Sequence, residues 1–240
     1  MPAFALSNVN PIFRRELRSY FNSPIAYVVI VVFLAIIGWF FTSNLFLMNV
    51  ASVRVMFDLV PLAFLFFVPA ITMRLLAEEK KSGTLELLAT KPVLDAEIVL
   101  GKFLAAWALL AAALLPTVLY LVTVMMLGKL DLGPVITGYL GLMLMGGVYI
   151  AIGIFASSLT ENQIVAFIVS FLIVLALFMM DKVLMYVPDA LASTIEFLGI
   201  DYHFSNIARG VIDSRDVIYF ASLLGFSLLL ATVSLQRRKW

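Results

Sequence analysis

The sequence is poor in charge, cysteine and histidine. Only 13% of its 240 residues are Asp, Glu, Lys or Arg, whereas 63% are hydrophobic; soluble domains carry roughly 25% charge. Such a chain lacks the polar surface that a soluble catalytic domain needs. The absence of cysteine excludes disulfides, thiolate metal sites and cysteine nucleophiles. A formal net charge of +1 gives no basic stripe for nucleic acid. The composition predicts an all-α membrane protein.

Charge-free runs predict where the chain crosses the bilayer, because a charge at mid-membrane costs about 2.5–3.5 kcal/mol. We expect one membrane domain over residues 1–240, without repeats. The second run reaches spanning length only if Asp58 and Arg74 lie at its two ends. The first is longer than the roughly 7–15 apolar residues of a cleaved signal peptide. The six predicted spans are residues 25–48, 57–76, 99–126, 134–158, 162–181 and 216–236.

The distribution of basic residues predicts the orientation. Of the 16 Lys and Arg residues, eleven fall in the N-terminal segment, the connection between the second and third spans, and the C-terminus. Cytoplasmic loops are enriched in Lys and Arg, so both termini are predicted to be cytoplasmic. The five basic residues on the opposite side are Arg54, Lys129, Lys182, Arg209 and Arg215.

Residues 11–22 form a predicted helix lying in the membrane interface. Asn10 is a plausible N-cap with Pro11 at the first helical position, and residues 22–24 end the helix. Its apolar and charged residues fall mostly on opposite faces. The helix is either a simple surface anchor or a contact for a partner protein. The apolar face has Phe13, Leu17, Tyr20 and Phe21, and the polar face has Arg14, Arg15, Glu16 and Arg18.

The connection over residues 77–97 carries the strongest local pattern. After Glu78, Glu79, Lys80 and Lys81, a break at Ser82-Gly83-Thr84 precedes the apolar run Leu85-Glu86-Leu87-Leu88, which Pro92 closes. One or two helical turns, capped by Ser82 or Thr84, fit there but are too short to be stable alone. The run is either a solvated loop whose leucines dip into the interface or a knob presented to a cytoplasmic partner. Asp95 is predicted to cap the third span.

The segment 182–215 is predicted to lie outside the cell as a lid over the outer ends of the spans. Leu191, Ile195 and Leu198 suggest one short helix, and Phe204 to Arg209, ending at Gly210, suggests another. Asp213 or Ser214 is expected to cap the last span. His203, the single histidine, is expected to be a hydrogen-bonded structural residue rather than a metal ligand or base.

Several kinds of chemistry are missing from the predicted spans. They contain no carboxylate, lysine or histidine near mid-membrane of the kind that ion-coupled transporters use. The chain also has no G-x-x-x-x-G-K-[ST] phosphate loop, so any ATP must act through another subunit. Pro116 is expected to bend the third span. Glycines in the fourth span, from Gly138 to Gly153, permit close helix contacts, within the chain or in a homodimer.

These parts together resemble the permease subunit of ABC type-2 exporters. The resemblance rests on "FRRELRSYFNSPIAY" (residues 13–27), "EEKKSGTLELLATKPV" (residues 78–93) and "HFSNIARGVIDSRDVIYF" (residues 203–220). Within that family the chain looks most like the gliding-motility-type branch. The copper-processing branch and the sodium or antibiotic export branches share the Glu-Glu…Gly-Thr-Leu-Glu pattern.

The resemblance implies specific roles for these segments. The N-terminal stretch, with Phe13, Arg14, Arg15, Leu17 and Arg18, would be a connecting helix. Residues 83–90 would be the coupling helix that docks on a separate ATPase, with Glu78 and Glu79 at the contact. His203, Phe204, Arg209, Gly210 and Asp213 would belong to an external gate. Two permease copies, as a homodimer, and two ATPase subunits would form the complex.

The sequence thus predicts a non-enzymatic permease in a bacterial or archaeal plasma (inner) membrane. It would hold no cofactor itself, with ATP and Mg²⁺ on the partner ATPase. One alternative is an ATP-driven mechanical or assembly device that acts on an envelope component, with an accessory protein bound outside. A passive channel or a secondary transporter is a third reading.

Overall fold

A computed structural model describes residues 8–48, 53–85, 93–128, 130–183, 188 and 195–237. All regular elements in these ranges are helical, as the composition predicts. A 3₁₀ turn at Leu115–Thr117 interrupts the third predicted span. The helices are α1 Val9–Asn22, α2 Pro24–Met48, α3 Arg54–Thr72, α4 Ala77–Lys81, α5 Asp95–Leu114, α6 Val118–Leu127, α7 Leu132–Leu159, α8 Gln163–Met179, α9 Ile200–Ala208 and α10 Ser214–Gln236.

Among the described residues, five stretches of helix are long and apolar enough to cross a membrane. Two of them run through a break, at the turn between α3 and α4 and at Pro116 between α5 and α6, where the sequence predicts a bend. The predicted span 162–181 corresponds to α8, which has only 17 residues. At 1.5 Å per residue α8 is about 26 Å long, slightly less than the roughly 30 Å hydrocarbon core. The five stretches are Ala26–Leu47, Arg54–Lys81, Asp95–Leu127, Leu132–Leu159 and Ser214–Gln236.

Helix α7 is the centre of the bundle and packs against α3, α5, α8, α9 and α10. Its glycines allow this. A Cβ on Gly153 would lie 2.0 Å from Thr72 Oγ1, and one on Gly138 would lie 2.6 Å from the Phe57 ring. The predicted close contacts at these glycines therefore form within the chain. Since residue 57 faces residue 138 and residue 72 faces residue 153, α3 runs parallel to α7.

The packing defines two ends of the bundle. The α1 end contains α1, α4, the start of α5 and the ends of α7 and α10, where Ser234 Oγ donates to Ser158 O at 3.2 Å. The α9 end contains α9 and the starts of α3, α7 and α10. A Cβ on Gly210 there would meet Pro134 at 3.4 Å. The segments predicted to be cytoplasmic therefore share the α1 end, and the segments predicted to be external share the α9 end.

Helix α1 begins earlier than the sequence suggests. It starts at Val9, so Asn8 rather than Asn10 is the N-cap and Pro11 is the third helical residue. The helix ends at Asn22, as predicted. It packs against α5, where Gly101 leaves room for Ile12: a Cβ on Gly101 would lie 2.6 Å from Ile12 Cγ2. The early start is set by this packing, which local capping preferences do not report.

Candidate coupling site

The α4 segment is a single helical turn that closes sharply. Gly83 follows it with φ +69°, a left-handed conformation that glycine adopts without strain. The hydroxyls of Ser82 and Thr84 donate to Glu79 O at 3.3 and 3.4 Å. The break predicted at Ser82-Gly83-Thr84 therefore lies at the end of α4. Of the residues predicted to contact an ATPase, Glu86, Leu87 and Leu88 lie outside the described residues.

Ser157 of α7 anchors the beginning of α4. Its hydroxyl oxygen accepts from the backbone N–H groups of Leu76 and Ala77 at 3.1 and 3.0 Å, and it donates to Met73 O at 2.9 Å. One hydroxyl offers two acceptor lone pairs and one donor, so its bonding capacity is filled. Lys80 Nζ also donates to Ser158 O. A five-residue helix that would not persist alone is thereby fixed to the central helix.

A buried lysine links three helices at the same place. Lys102 of α5 has a side chain only 2% exposed, and its Nζ lies 2.8 Å from Glu79 Oε1 and 3.3 Å from Glu16 Oε1. Both carboxylates are 16% exposed. A buried ammonium is stable only when it is paired and hydrogen-bonded. Lys102 therefore joins α1, α4 and α5 through charge.

The predicted contact residues divide between inward and outward positions. Leu85 is 2% exposed and packs within the chain. Glu79 turns toward Lys102. The exposed residues of the segment are Glu78, Ser82 and Thr84 together with Lys81. The surface that α4 offers outward is consequently polar.

The start of α1 is held by a carboxylate of α5. Glu97 accepts from Leu94 N at 2.9 Å, from Asn8 N at 3.2 Å and from Asn8 Nδ2 at 3.1 Å. The N-cap of α5 is Leu94, so the prediction that Asp95 caps this helix is wrong. Glu97, three residues beyond the N-cap, stabilises the first turn of α5 instead, because its carboxylate accepts a hydrogen bond from the backbone N–H of Leu94.

The predicted connecting-helix residues separate as the amphipathic pattern indicates. Arg14, Arg15 and Arg18 are exposed, whereas Phe13 and Leu17 are half-buried. Glu16 is the exception, because it was assigned to the polar face and instead turns toward Lys102. No pattern in the sequence indicates this pairing, since 86 positions separate the two residues and each looks like an ordinary interfacial charge.

At the other end, α9 lies beside α7 rather than above the bundle. A Cβ on Gly141 would lie 3.1 Å from the Phe204 ring and 3.2 Å from Ile207. Gly210, with φ +97°, turns the chain next to Pro134. The helix therefore runs antiparallel along the first part of α7. The expectation of a lid above the spans is corrected, because the apolar face of α9 is buried against small residues of α7.

The short elements predicted around α9 have different outcomes. Helix α9 begins at Ile200, four residues before the predicted start at Phe204, and its last residue is Ala208, one before the predicted Arg209, which is exposed. Asp213 is the N-cap of α10 and accepts from Arg215 N at 2.9 Å, which confirms that prediction. Of the first external helix, residues 195–198 are helical, and Leu191 lies outside the described residues.

His203 has an acidic partner that the sequence did not reveal. His203 is 1% exposed, and its Nδ1 lies 2.6 Å from Asp216 Oδ1. Its Nε2 lies 2.8 Å from Phe197 O, and its ring stacks on Tyr219 with centroids 3.9 Å apart. Both ring nitrogens thus face acceptors. His203 is therefore hydrogen-bonded within the protein, as expected.

A second charged cluster lies between α8 and α9. Lys182 Nζ lies 2.6 Å from Asp201 Oδ2 and 2.9 Å from Asp181 Oδ2. Burial raises the pKa of the Asp201 carboxyl, and the hydrogen bond from Lys182 opposes that rise. A cavity of about 620 Å³ adjoins this cluster. It is lined by aromatic residues such as Phe57 and Phe178 and by both charge signs.

Sequence comparisons agree with this architecture. Residues 46–200, more than half of the chain, match a family model described as "ABC-2 family transporter protein". No curated protein shows significant similarity to the chain. The apolar helices define a multi-pass helical membrane protein. Within that class, the chain belongs to the ABC-2 transporter family and is a permease component.

Proposed function

We propose that this chain is the transmembrane subunit of an ATP-driven exporter whose ATP and Mg²⁺ bind to a separate cytoplasmic ABC ATPase. The supporting observation is the fixation of α4. One hydroxyl of α7 and one buried lysine of α5 hold a single helical turn that would not be stable alone. Such a turn suits docking because its exposed residues move only together with the helices behind it.

We also propose six membrane crossings, with the α1 end in the cytoplasm. Helix α8 follows α7 at the α1 end and reaches Asp201 through Lys182 at the α9 end, so its 17 residues join the two ends. Basic residues support the orientation, because cytoplasmic segments are enriched in Lys and Arg. The described ones at the α1 end are Arg14, Arg15, Arg18, Arg74, Lys80, Lys81, Lys102 and Arg237, against Arg54, Lys182, Arg209 and Arg215 at the α9 end.

The two anchors suggest how motion would pass from the ATPase into the membrane. A displacement of α4 would act on α7 through Ser157 and on α1 and α5 through Lys102. Since α7 packs on most other helices, its movement would be shared by the bundle. The working complex would contain two copies of this chain, as a homodimer, and two ATPase subunits in a bacterial or archaeal plasma membrane. The resemblance to the gliding-motility-type branch supports this assembly.

The docking surface is tested by co-expressing the chain with candidate ATPases. Glu78→Lys combined with Thr84→Lys changes exposed residues of the α4 segment without touching the buried anchors. We expect loss of co-purification and of permease-stimulated ATP hydrolysis, because a docking surface loses both charge and shape complementarity. Leu85 is unsuitable for this test, since it is buried within the chain.

The matched control is Arg215→Glu, a charge reversal at an exposed residue of the opposite end. It should leave ATPase binding and stimulation unchanged. Wild-type binding and stimulation in the α4 variant would refute the docking assignment. Loss of binding in the Arg215→Glu variant alone would place the ATPase at the other end and reverse the orientation.

A further inference from the structure

The exposed face of α1 carries cations that have no partner within the described part of the chain. Arg14, Arg15 and Arg18 are exposed, and among the described residues their guanidinium groups form no ion pair or hydrogen bond. Glu16, the only acidic residue of this helix, is turned inward to Lys102. The outer face of α1 is therefore positively charged, and guanidinium groups bind phosphate oxygens through two parallel N–H donors.

A groove between α1 and α5 shows which flank of α1 faces the bilayer. The groove has a volume of about 440 Å³, and its walls are Val9, Asn10 and Phe13 of α1 with Leu100 and Leu104 of α5. The two leucines are partly exposed and belong to a stretch that is apolar enough to cross a membrane. Apolar surface that stays open on such a stretch is surface for lipid. The flank of α1 that carries Phe13 therefore lies on the lipid side.

The helical period places two of the three arginines beside this flank. Successive residues of an α-helix are about 100° apart, so Leu17 lies one turn after Phe13 on the same flank. Leu17 is half-buried and lies about 60° from Arg14 and about 100° from Arg18. Arg15 lies about 160° from Leu17 and lines a cavity whose walls include α4. Only Arg14 and Arg18 therefore border the lipid side.

An aromatic pair places the end of α1 at the level of the lipid headgroups. Phe21 contacts Tyr27 of α2 edge to face, with ring centroids 6.2 Å apart, and Tyr27 is 53% exposed. Tyr27 also lies at the beginning of the apolar stretch Ala26–Leu47. Tyrosine is enriched where such stretches meet the membrane–water interface. The arginines that border the apolar flank of α1 thus lie near the depth of the lipid phosphates.

We propose that α1 binds anionic phospholipids, with their phosphate groups on Arg14 and Arg18 and their hydrocarbon against Phe13 and Leu17. A helix with this division of apolar and basic residues lies in the plane of the interface and gains affinity from anionic lipid. A cytoplasmic protein would meet the opposite side, which carries Arg15 and adjoins α4. Lipid binding requires only that α1 lies beside the bilayer, and it is independent of the ATPase.

The test measures lipid binding to the purified full chain in detergent by native mass spectrometry. The probes are phosphatidylglycerol and phosphatidylcholine with identical acyl chains, and soluble glycerol 3-phosphate. Phosphatidylglycerol should bind at least about tenfold more tightly than phosphatidylcholine, whose net charge is zero. The difference should shrink as the ammonium acetate concentration is raised, because salt screens exposed charges. Glycerol 3-phosphate should bind much more weakly, since it has no hydrocarbon for the apolar flank.

The double variant Arg14→Gln with Arg18→Gln should lower phosphatidylglycerol affinity by about 25-fold, because each basic residue near a membrane surface contributes about fivefold. Its melting temperature in phosphatidylcholine should not fall, since neither arginine has a partner among the described residues. The matched control is Arg15→Gln, which removes the same charge on the opposite side of α1 and should change the affinity far less. Arg14→Lys with Arg18→Lys keeps both charges and should retain most of the affinity.

Four results would overturn this assignment. Equal affinity for the two lipids would show that charge on the headgroup is not recognised. Equally tight binding of glycerol 3-phosphate would identify a soluble phosphate as the ligand. An equal loss in the Arg15→Gln variant would mean that net charge, rather than the lipid-side pair, attracts the lipid. Loss of ATPase co-purification in the double glutamine variant with unchanged lipid affinity would assign this face to a protein partner. The lipid measurements themselves need no ATPase, so they stand even if the docking assignment fails.

Discussion

Replacing Lys102 by Met should destabilise the chain more than any change to its exposed ion pairs. Methionine keeps the length and much of the volume of the lysine side chain but removes the ammonium. Glu79 and Glu16 would then remain as two carboxylates, each 16% exposed, without their shared cation. A pair of like charges left in a partly desolvated site is unfavourable.

The magnitude follows from the two distances. With an effective dielectric constant of about 20, Coulomb's law gives roughly 6 kcal/mol at 2.8 Å and roughly 5 kcal/mol at 3.3 Å. Desolvation of the lysine offsets much of this attraction. Breaking a buried pair by removing one partner costs about 3–5 kcal/mol. That loss is a large fraction of the roughly 5–15 kcal/mol that stabilises a folded protein.

The assay is unfolding of the purified chain by SDS titration in mixed micelles, followed by far-ultraviolet circular dichroism. The control is Arg74→Met, which breaks the Arg74–Glu78 pair, with side chains 29% and 50% exposed. Exposed pairs at i and i+4 contribute about 0.3–0.5 kcal/mol. Adding Glu16→Gln and Glu79→Gln to Lys102→Met should restore most of the lost stability. A Lys102→Met effect no larger than that of Arg74→Met would refute the assignment of a buried cluster.

Three further predictions use the same measurement. Gly153→Ala should cost about 1–3 kcal/mol because its Cβ would overlap the facing side chain of α3, whereas Gly225→Ala, with nothing within 4 Å, should be neutral or stabilising. Ser157→Ala should cost about 1–3 kcal/mol because two backbone N–H groups lose their acceptor, and proteolysis near α4 should increase. Asp216→Asn should cost about 1.5–3 kcal/mol by weakening the bond to His203, and unaltered stability would contradict its role.

Local patterns predicted the helices well and their ends less well. The break at Pro116, the glycine stop at Gly210 and the cap at Asp213 each follow from one residue's backbone or side-chain chemistry. The start of α1 and the cap of α5 were predicted wrongly. Both helix ends depend on the hydrogen bonds between Asn8 and Glu97. These two residues meet only because α1 packs on α5.

The candidate coupling site was likewise predicted only in part. The sequence indicated that residues 77–97 form a special connection, because charges, a glycine break and leucines follow one another there. It did not indicate which residues hold it. Lys102, Ser157 and Glu16 act from other helices, and each is unremarkable in its own segment. Leu85, predicted to face a partner, is buried because the turn at Gly83 directs it back into the chain.

The sequence by itself determined that this is a helical membrane protein, because apolar length and scarce charge are properties of composition and order alone. It also located the five helical stretches among the described residues that are long and apolar enough to cross a membrane, and the one connection that is rich in charge. Only the tertiary structure decided which charges are buried and paired. The ion pair between Lys102 and Glu16 and the hydrogen bond between His203 and Asp216 depend on how the helices pack. That packing is set by side-chain shape at positions far apart in the chain.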